Sequence, residues 1–172
     1  MLIKAKKSLG QNFLIDKNVI NKIVDTGNIK NTDVILEVGP GTGNLTKSIL
    51  KKKPKKIFVI EKDKNLANLL KKKFKGQITV INNDILKIAE NLIFDEELII
   101  FGNLPYNIST KILSKWIVND YKKKWYKSLI LLFQKEVADR ILAKTDNKNY
   151  GRLSIISNWK LKIEKIANIS SS

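Results

Sequence analysis

The chain has 172 residues, of which 43% are hydrophobic, and it carries a formal net charge of +17. This length and apolar content suit a single folded domain with its own core. Because the chain has neither Cys nor His, disulfides, a Ser-His-Asp triad and zinc sites built from Cys or His are all excluded. No carboxylate spacing typical of a metal site stands out, so we expect no metal.

The charge and the hydropathy pattern also bear on location and partners. No run approaches the roughly 20 apolar residues that span a bilayer, and the N-terminus lacks the apolar stretch of a signal peptide, so a cytoplasmic protein without a membrane partner is expected. The excess of Lys over acidic residues favours a polyanionic partner such as RNA or DNA. Codon bias is an alternative explanation, because the chain is rich in Lys, Asn and Ile and has only two arginines, Arg140 and Arg152.

Predicted strands and helices alternate along the chain. Asp16 is a suitable N-cap for an amphipathic helix that ends at Gly27. Short apolar, β-branched runs predict buried strands at 33–38, 56–60, 78–82, 97–101 and 128–133. Helical spacing of apolar residues predicts helices within 43–53, 65–74, 86–92, 107–118 and 137–144, then a helix at 151–159 and a last strand at 160–169. This alternation predicts an α/β fold with a mostly parallel, doubly wound sheet.

Three lysine clusters, "KKKPKK" (51–56), "KKKFK" (71–75) and "KKKWYK" (122–127), lie at predicted helix ends or loops. We interpret them as solvated surface that also suits the negative ends of helices. In the third cluster, Trp125 and Tyr126 could instead stack on bases beside phosphate-binding lysines. Anchoring in the core is the favoured role for Trp125.

Glycines and acidic residues follow the first three predicted strands. Gly39, Gly41 and Gly43 come directly after the first strand, where a glycine backbone can turn tightly and approach a ligand. Glu61 ends the second strand, where a carboxylate can accept the hydroxyls of a ribose, and Asp84 follows the third. The convergence predicts a nucleoside-type cofactor, and NAD and S-adenosylmethionine fit it equally well. A structural turn and helix N-terminal charges are the alternatives.

The loop after the fourth strand, "GNLPYNIS" (102–109), resembles motif IV of the amino-methyltransferases, whose pattern is Asp/Asn-x-Pro-aromatic. Together with "SLGQNFL", "EVGPGTG", "QKEVADR" and "YGRLS", it is similar to the KsgA family of ribosomal RNA adenine dimethyltransferases. The resemblance covers nearly the whole chain, with the motifs in the family's order. It implies a Rossmann-like S-adenosylmethionine-dependent methyltransferase fold and N6,N6-dimethylation of adenosines in small-subunit ribosomal RNA.

The resemblance also implies a role for each matching residue. Those assigned to S-adenosylmethionine, which becomes S-adenosylhomocysteine, are Gln11, Asn12, Leu14, Gly39, Gly41, Glu61, Asp84, Ile85 and Asn103. Those assigned to the target adenine are Asn103, Leu104, Pro105 and Tyr106, and Lys135 and Arg140 are weaker candidates for RNA phosphates. The expected partner is small-subunit ribosomal RNA or a pre-30S particle, met by a monomer that takes part in ribosome biogenesis.

The residue types in the loop suit this chemistry. The N6 amine of adenine is a poor nucleophile because its lone pair is delocalised into the ring. The Asn103 side-chain oxygen and the Leu104 carbonyl could accept both N6 protons and free that lone pair, while Pro105 stiffens the loop and Tyr106 stacks on the base. Such catalysis requires no strong base. The alternative is a plain loop in which Asn103 caps a turn, Tyr106 packs, and Asn107 or Ser109 caps the next helix.

The same sequence features are compatible with other functions. An Erm-type enzyme that methylates adenine in 23S ribosomal RNA is a close alternative, and a non-catalytic RNA-binding or assembly factor and a NAD-dependent oxidoreductase are more distant ones. The family's Phe-x-Pro-x-Pro segment and small C-terminal helical domain have no counterpart before Ser172. We therefore expect residues 1–172 to form the S-adenosylmethionine-binding catalytic domain alone and to retain cofactor binding.

Overall fold

A computed structural model describes residues 13–89, 94–119 and 125–169 and has a five-stranded parallel sheet with helices on both faces. The strands are β1 (Val34–Val38), β2 (Lys56–Ile60), β3 (Thr79–Ile81), β4 (Leu98–Asn103) and β5 (Tyr126–Leu132). The helices are α1 (Lys17–Thr26), α2 (Asn44–Lys51), α3 (Lys64–Phe74), α4 (Ser109–Asn119), α5 (Lys135–Leu142) and α6 (Arg152–Lys160). The predicted α/β class is confirmed.

The strand order is β3-β2-β1-β4-β5, and every neighbouring pair is parallel. The order reverses direction at β1, which pairs with β2 on one side and with β4 on the other. In open α/β sheets, ligands bind in the crevice beyond the carboxyl ends of the strands at such a reversal. A ligand site is therefore expected at the loops that follow β1 and β4.

Two layers of apolar side chains hold the helices against the sheet. On one face, α1, α2 and α3 cover a cluster that includes Ile35, Val59 and Phe101. On the other face, α4 packs on a cluster that includes Leu36 and Ile100, and α5 and α6 join α4 in a smaller third cluster. Every residue of β1 is buried, as expected for a strand covered on both faces.

The boundaries of α1 match the sequence prediction. The Asp16 side chain accepts hydrogen bonds from the backbone N–H groups of Asn18 (2.8 Å) and Val19 (3.2 Å), and the helix stops before Gly27. The cap satisfies backbone donors that would otherwise have no partner in the first turn.

Two predictions require correction. No strand forms at 160–169: Leu161 and Ile163 pack on the third cluster, but no ladder pairs this segment with the sheet. The predicted helix at 86–92 is a short 3-10 turn at Ile85–Lys87, and residues 90–93 lie outside the described part. In the described ranges, no helix is long and apolar enough to cross a membrane.

Trp125 is a core residue, as favoured, and base stacking by Trp125 and Tyr126 is not supported. Both side chains are buried, at 2% and 4% exposed. The Trp125 ring packs edge-on against Trp116 and Tyr126, with ring centroids 5.9 Å and 5.2 Å apart. Aromatic rings in this arrangement contribute packing energy and are not accessible to a nucleic acid base.

Candidate functional site

The glycine loop follows β1 and is held in a backbone conformation that favours glycine. Gly39 and Gly41 have φ values of 70° and 57°, in the left-handed region that side chains with a Cβ rarely adopt. The Gly39 N–H donates to the Ile60 carbonyl at 3.1 Å. A Cβ on Gly39 would lie 2.9 Å from the backbone oxygen of Asn103, so the loops after β1 and β4 are in direct contact.

Glu61, at the end of β2, is bound to the glycine loop. One carboxylate oxygen accepts from the Gly41 N–H at 3.3 Å and the other from the Asp63 N–H at 2.9 Å. Burial raises the pKa of Glu61, and these two hydrogen bonds act in the opposite direction. Each oxygen keeps a second lone pair, so the carboxylate can still accept hydrogen bonds from the hydroxyl groups of a ligand.

Asp84 follows β3 and is held by two partners. Its carboxylate accepts from Lys62 Nζ at 2.9 Å and from the Leu86 N–H at 3.0 Å. The Lys62 hydrogen bond lowers the pKa of Asp84, so this group is a charged acceptor at neutral pH. The Asn82 amide donates to the Glu61 carbonyl at 2.8 Å, which joins the ends of β2 and β3. Ile85, the residue after Asp84, is buried in the core.

The loop after β4 is folded into a tight turn. Asn103 is the last residue of the strand and is half-buried, the Leu104 side chain is 1% exposed, and Tyr106 is 36% exposed. The Ile108 N–H donates to the Pro105 carbonyl at 3.1 Å, and the Ser109 hydroxyl donates to the Tyr106 carbonyl at 3.2 Å. The buried Leu104 anchors the turn, which leaves the Tyr106 ring at the surface.

A small cleft that is open to solvent lies between the two loops. Its lining includes Phe13, Leu14, Glu37, Gly39, Gly41 and Asn103. Leu14 is held in place because its carbonyl accepts from the Asn44 side-chain amide at 3.0 Å. Gln11 and Asn12, also predicted for the cofactor, lie outside the described residues.

Other predicted residues lie away from this cleft. Glu61, Asp84, Ile85 and Tyr106 are not part of its lining, although Glu61 reaches it through the Gly41 hydrogen bond. Lys135 and Arg140 are exposed on α5, and Lys135 forms an ion pair with Asp139 at 3.3 Å. Their contact with RNA stays a prediction. Within the ranges that the structure describes, no group of three or more acidic side chains could hold a metal ion.

Glu37 was missed by the sequence reasoning. It is the next-to-last residue of β1, is 1% exposed, lines the cleft and accepts a 2.6 Å hydrogen bond from the Thr46 hydroxyl. Burial, reinforced by the nearby Glu61 carboxyl, raises its pKa to about 7, against the opposing hydrogen bond from Thr46. The available signal was a carboxylate inside the otherwise apolar run "VILEV", because a charged residue is rarely placed at such a position without a partner.

Comparison with known proteins identifies the family. The model of the family described as "Ribosomal RNA adenine dimethylase" matches residues 2–172. The chain belongs to this family. Proteins named ribosomal RNA small subunit methyltransferase A are similar to it: that of Pelagibacter ubique is 62% identical over 98% of this chain, and that of Cereibacter sphaeroides is 42% identical over 92%.

Solved structures related to the ribosomal RNA adenine dimethylase family agree in fold. A dimethyladenosine transferase from Plasmodium falciparum is 32% identical with a TM-score of 0.74, and covers 84% of this chain and 51% of its own. The 23S rRNA methyltransferase ErmE is 27% identical with a TM-score of 0.68, and covers 85% and 55%. The predicted Rossmann-like methyltransferase fold is confirmed.

The chain spans 64% of the length of the Pelagibacter relative and 58% of that from Cereibacter. Identity is higher to these small-subunit methyltransferases than to ErmE. Family membership also argues against the NAD-dependent oxidoreductase alternative.

Proposed function

We propose that this chain forms the S-adenosylmethionine-binding catalytic part of an enzyme that dimethylates N6 of adenosines in small-subunit ribosomal RNA. The observation that carries the proposal is the contact between the loops after β1 and β4, where Gly39 meets the Asn103 backbone beside a common cleft. A cofactor loop and an amine-binding loop must be adjacent for a direct transfer. The names of the bacterial relatives favour the small subunit.

The residues of the cleft, together with the carboxylates that follow β2 and β3, suit S-adenosylmethionine. Gly39 and Gly41 line the cleft with backbone alone, which suits the amino-acid part of the cofactor. The buried Glu61 carboxylate suits the ribose hydroxyls, and the charged Asp84 suits the adenine amine. Leu14 would cover the cofactor from the N-terminal side. When bound, S-adenosylmethionine supplies an electrophilic methyl group on a sulfonium.

The loop after β4 would hold the target adenine. The Asn103 side-chain oxygen and the Leu104 carbonyl would accept hydrogen bonds from the two N6–H groups and turn the lone pair of N6 toward the cleft. Tyr106, which is exposed, would stack on the ring, and Pro105 would limit movement of the loop. Fixed dipoles close to a nitrogen that gains positive charge stabilise the transition state without a general base. This agrees with a chain that contains no histidine.

The proposal extends to the partner and the setting. The substrate would be ribosomal RNA in a small-subunit precursor, and the +17 charge of the chain suits that polyanion. We further propose a monomer that acts in the cytoplasm. An Erm-type activity is the second candidate, favoured by one observation, the TM-score of 0.68 to ErmE.

The test begins with calorimetric titration of this chain with S-adenosylmethionine and S-adenosylhomocysteine, and binding to neither would overturn the proposal. Incorporation of labelled methyl groups into isolated small and large ribosomal subunits then separates the two activities. Methylation of the large subunit alone would favour the Erm-type candidate. RNA binding without any methylation would favour a non-catalytic factor.

The Asn103→Ala variant tests the role of the loop. We expect methylation to fall by about 100-fold or more, as for loss of one preorganised polar contact, while RNA binding changes little. Asn107→Ala is the matched control, because Asn107 is an exposed amide four residues further along the chain and outside the cleft lining. Full activity in Asn103→Ala would show that the proposed mechanism is wrong.

A further inference from the structure

The positive charge of this protein is concentrated in one part of the chain. Residues 43–79, from the start of α2 to the start of β3, contain twelve lysines and only two acidic residues, Glu61 and Asp63. This segment therefore accounts for ten of the 17 net positive charges. Codon bias would replace Arg by Lys evenly along the chain, so it does not explain such a concentration.

The surface formed by this segment has no exposed carboxylate. Glu61 and Asp63 are 6% and 7% exposed, and both accept hydrogen bonds from backbone N–H groups. Three of the lysines, Lys52, Lys55 and Lys62, form ion pairs with carboxylates from other segments. The others have no ion-pair partner among the described residues.

Six of these unpaired lysines lie on α2 and α3 and define what we call the α2–α3 lysine surface: Lys47, Lys51, Lys64, Lys71, Lys72 and Lys73. The two helices touch where α2 begins, because a Cβ on Gly43 would meet the side chains of Leu70 and Phe74 within 3 Å. The six lysines are therefore on neighbouring helices that cover the same face of the sheet.

Lys47 and Lys73 are close enough to repel each other. Partial burial lowers the pKa of Lys73, and the charge of Lys47 lowers it further. Lys73 Nζ donates to the Thr42 carbonyl at 2.7 Å, which fixes one of the two like charges in place. Crowded like charges without a counter-ion are costly in a free protein and favourable beside a polyanion.

Helix stability does not account for all six charges. Lys51, Lys71, Lys72 and Lys73 lie in the last turns of their helices, where a positive charge is favourable. Lys47 and Lys64, however, are in the first turns of α2 and α3, where the helix dipole disfavours a cation. These two positions call for another explanation.

We infer that the α2–α3 lysine surface binds the phosphodiester backbone of RNA, as a second contact region separate from the cleft between the β1 and β4 loops. RNA is favoured over an anionic membrane because a membrane-binding surface combines basic and apolar side chains. None of the large exposed apolar residues in the described part of the chain falls within 43–79. The choice of RNA as the polyanion rests on the proposed function, whereas the surface itself is defined by the positions of the lysines alone.

The test neutralises four lysines whose side chains have no hydrogen bond to any residue that the structure describes, in the variant Lys47→Gln/Lys51→Gln/Lys71→Gln/Lys72→Gln. Its affinity for a short RNA duplex of arbitrary sequence is measured by fluorescence anisotropy between about 50 and 200 mM salt. Each phosphate contact contributes about 0.9 to the slope of log affinity against log salt. Loss of four contacts should lower the steepness of that slope by about 3.6.

A control variant with the same charge change carries Gln at four exposed lysines elsewhere, Lys30, Lys144, Lys148 and Lys165. We expect its slope to change by less than about 1. Equal changes in the two variants would mean that RNA senses only the overall charge, and no change in the first variant would mean no contact. Either result overturns the inference.

Two further measurements complete the experiment. Replacing the same four lysines by Arg should restore the wild-type slope, because the charge is kept. The wild-type chain is also tested for binding to vesicles of phosphatidylserine and phosphatidylcholine. If it binds them, and the Gln variant loses vesicle binding but keeps RNA binding, the surface binds a membrane instead. S-adenosylmethionine titration of the Gln variant should match wild type, so failure of this inference is distinguishable from failure of the proposed function.

Discussion

Glu37 makes the stability of the fold depend on pH, and Glu37→Gln removes that dependence. Burial raises the pKa of this carboxyl from 4.5 to about 7 in the folded chain. The folded state therefore holds the proton more tightly than the unfolded state does. The stabilisation is complete below pH 4.5 and is lost as the pH rises toward about 7. At about 1.4 kcal/mol for each pKa unit, the loss amounts to about 3 kcal/mol.

The measurement is urea denaturation of both proteins at several pH values from about 4 to 8, with the free energy of unfolding extrapolated to water. The difference between wild type and Glu37→Gln should shift by about 3 kcal/mol over this range, in favour of the variant at high pH. Groups that do not interact with Glu37 are common to both proteins and cancel in the difference, whereas the contribution of Glu61, which interacts with Glu37, does not cancel.

Thr46→Val provides a second measurement of the same effect. The Thr46 hydroxyl donates to Glu37 and lowers its pKa, so its loss should move the pH of half-change upward. If wild type and Glu37→Gln give parallel stability curves across this pH range, Glu37 does not titrate as its burial requires, and the reasoning is wrong.

Two further substitutions test the packing, each against a matched control. Gly39→Ala should destabilise the chain by about 1–2 kcal/mol and weaken S-adenosylmethionine binding, because the new Cβ would press on the Asn103 oxygen. Gly76 also has a positive φ, but a Cβ there would meet nothing within 4 Å. For Gly76→Ala, urea denaturation should therefore show the backbone cost, and calorimetry should show no loss of S-adenosylmethionine binding. Trp125→Ala should cost about 3–5 kcal/mol in urea denaturation, whereas Trp159→Ala, at a site 70% exposed, should cost less than about 0.5. Unchanged binding in Gly39→Ala, or equal losses in the two Trp variants, would contradict the packing described.

Local pattern was sufficient to predict most of the fold. The strand at 56–60 and the cap and end of α1 were predicted at their observed positions, because short β-branched runs and an Asp N-cap act through near neighbours. Strand order was not predictable, since the pairing of β1 with β4 joins residues more than 60 positions apart. The strand predicted at 160–169 failed for a related reason: alternation of polarity cannot form a ladder without a partner strand.

The candidate site was predictable in part. Gly39, Glu61 and Asn103 could be assigned to one edge because parallel strands place their carboxyl ends together. The hydrogen bond from Gly41 to Glu61 and the burial of Glu37 beside Thr46 depend on how the helices pack, which no local pattern encodes. Family resemblance supplied roles for individual residues, and those roles stay predictions until the variants are measured.

The reversal of strand order at β1 has a consequence for how the protein folds. β2 can join β1 after a connection of 17 residues, whereas β4 must first close a loop of about 60 residues to reach its other side. Closing a long loop costs entropy before any contact offsets it. The cleft has one wall after β1 and the other at the end of β4, so it exists only once this most distant pairing has formed. A ligand bound in the cleft therefore stabilises the pairing of β1 with β4, which carries the larger loop-closure cost.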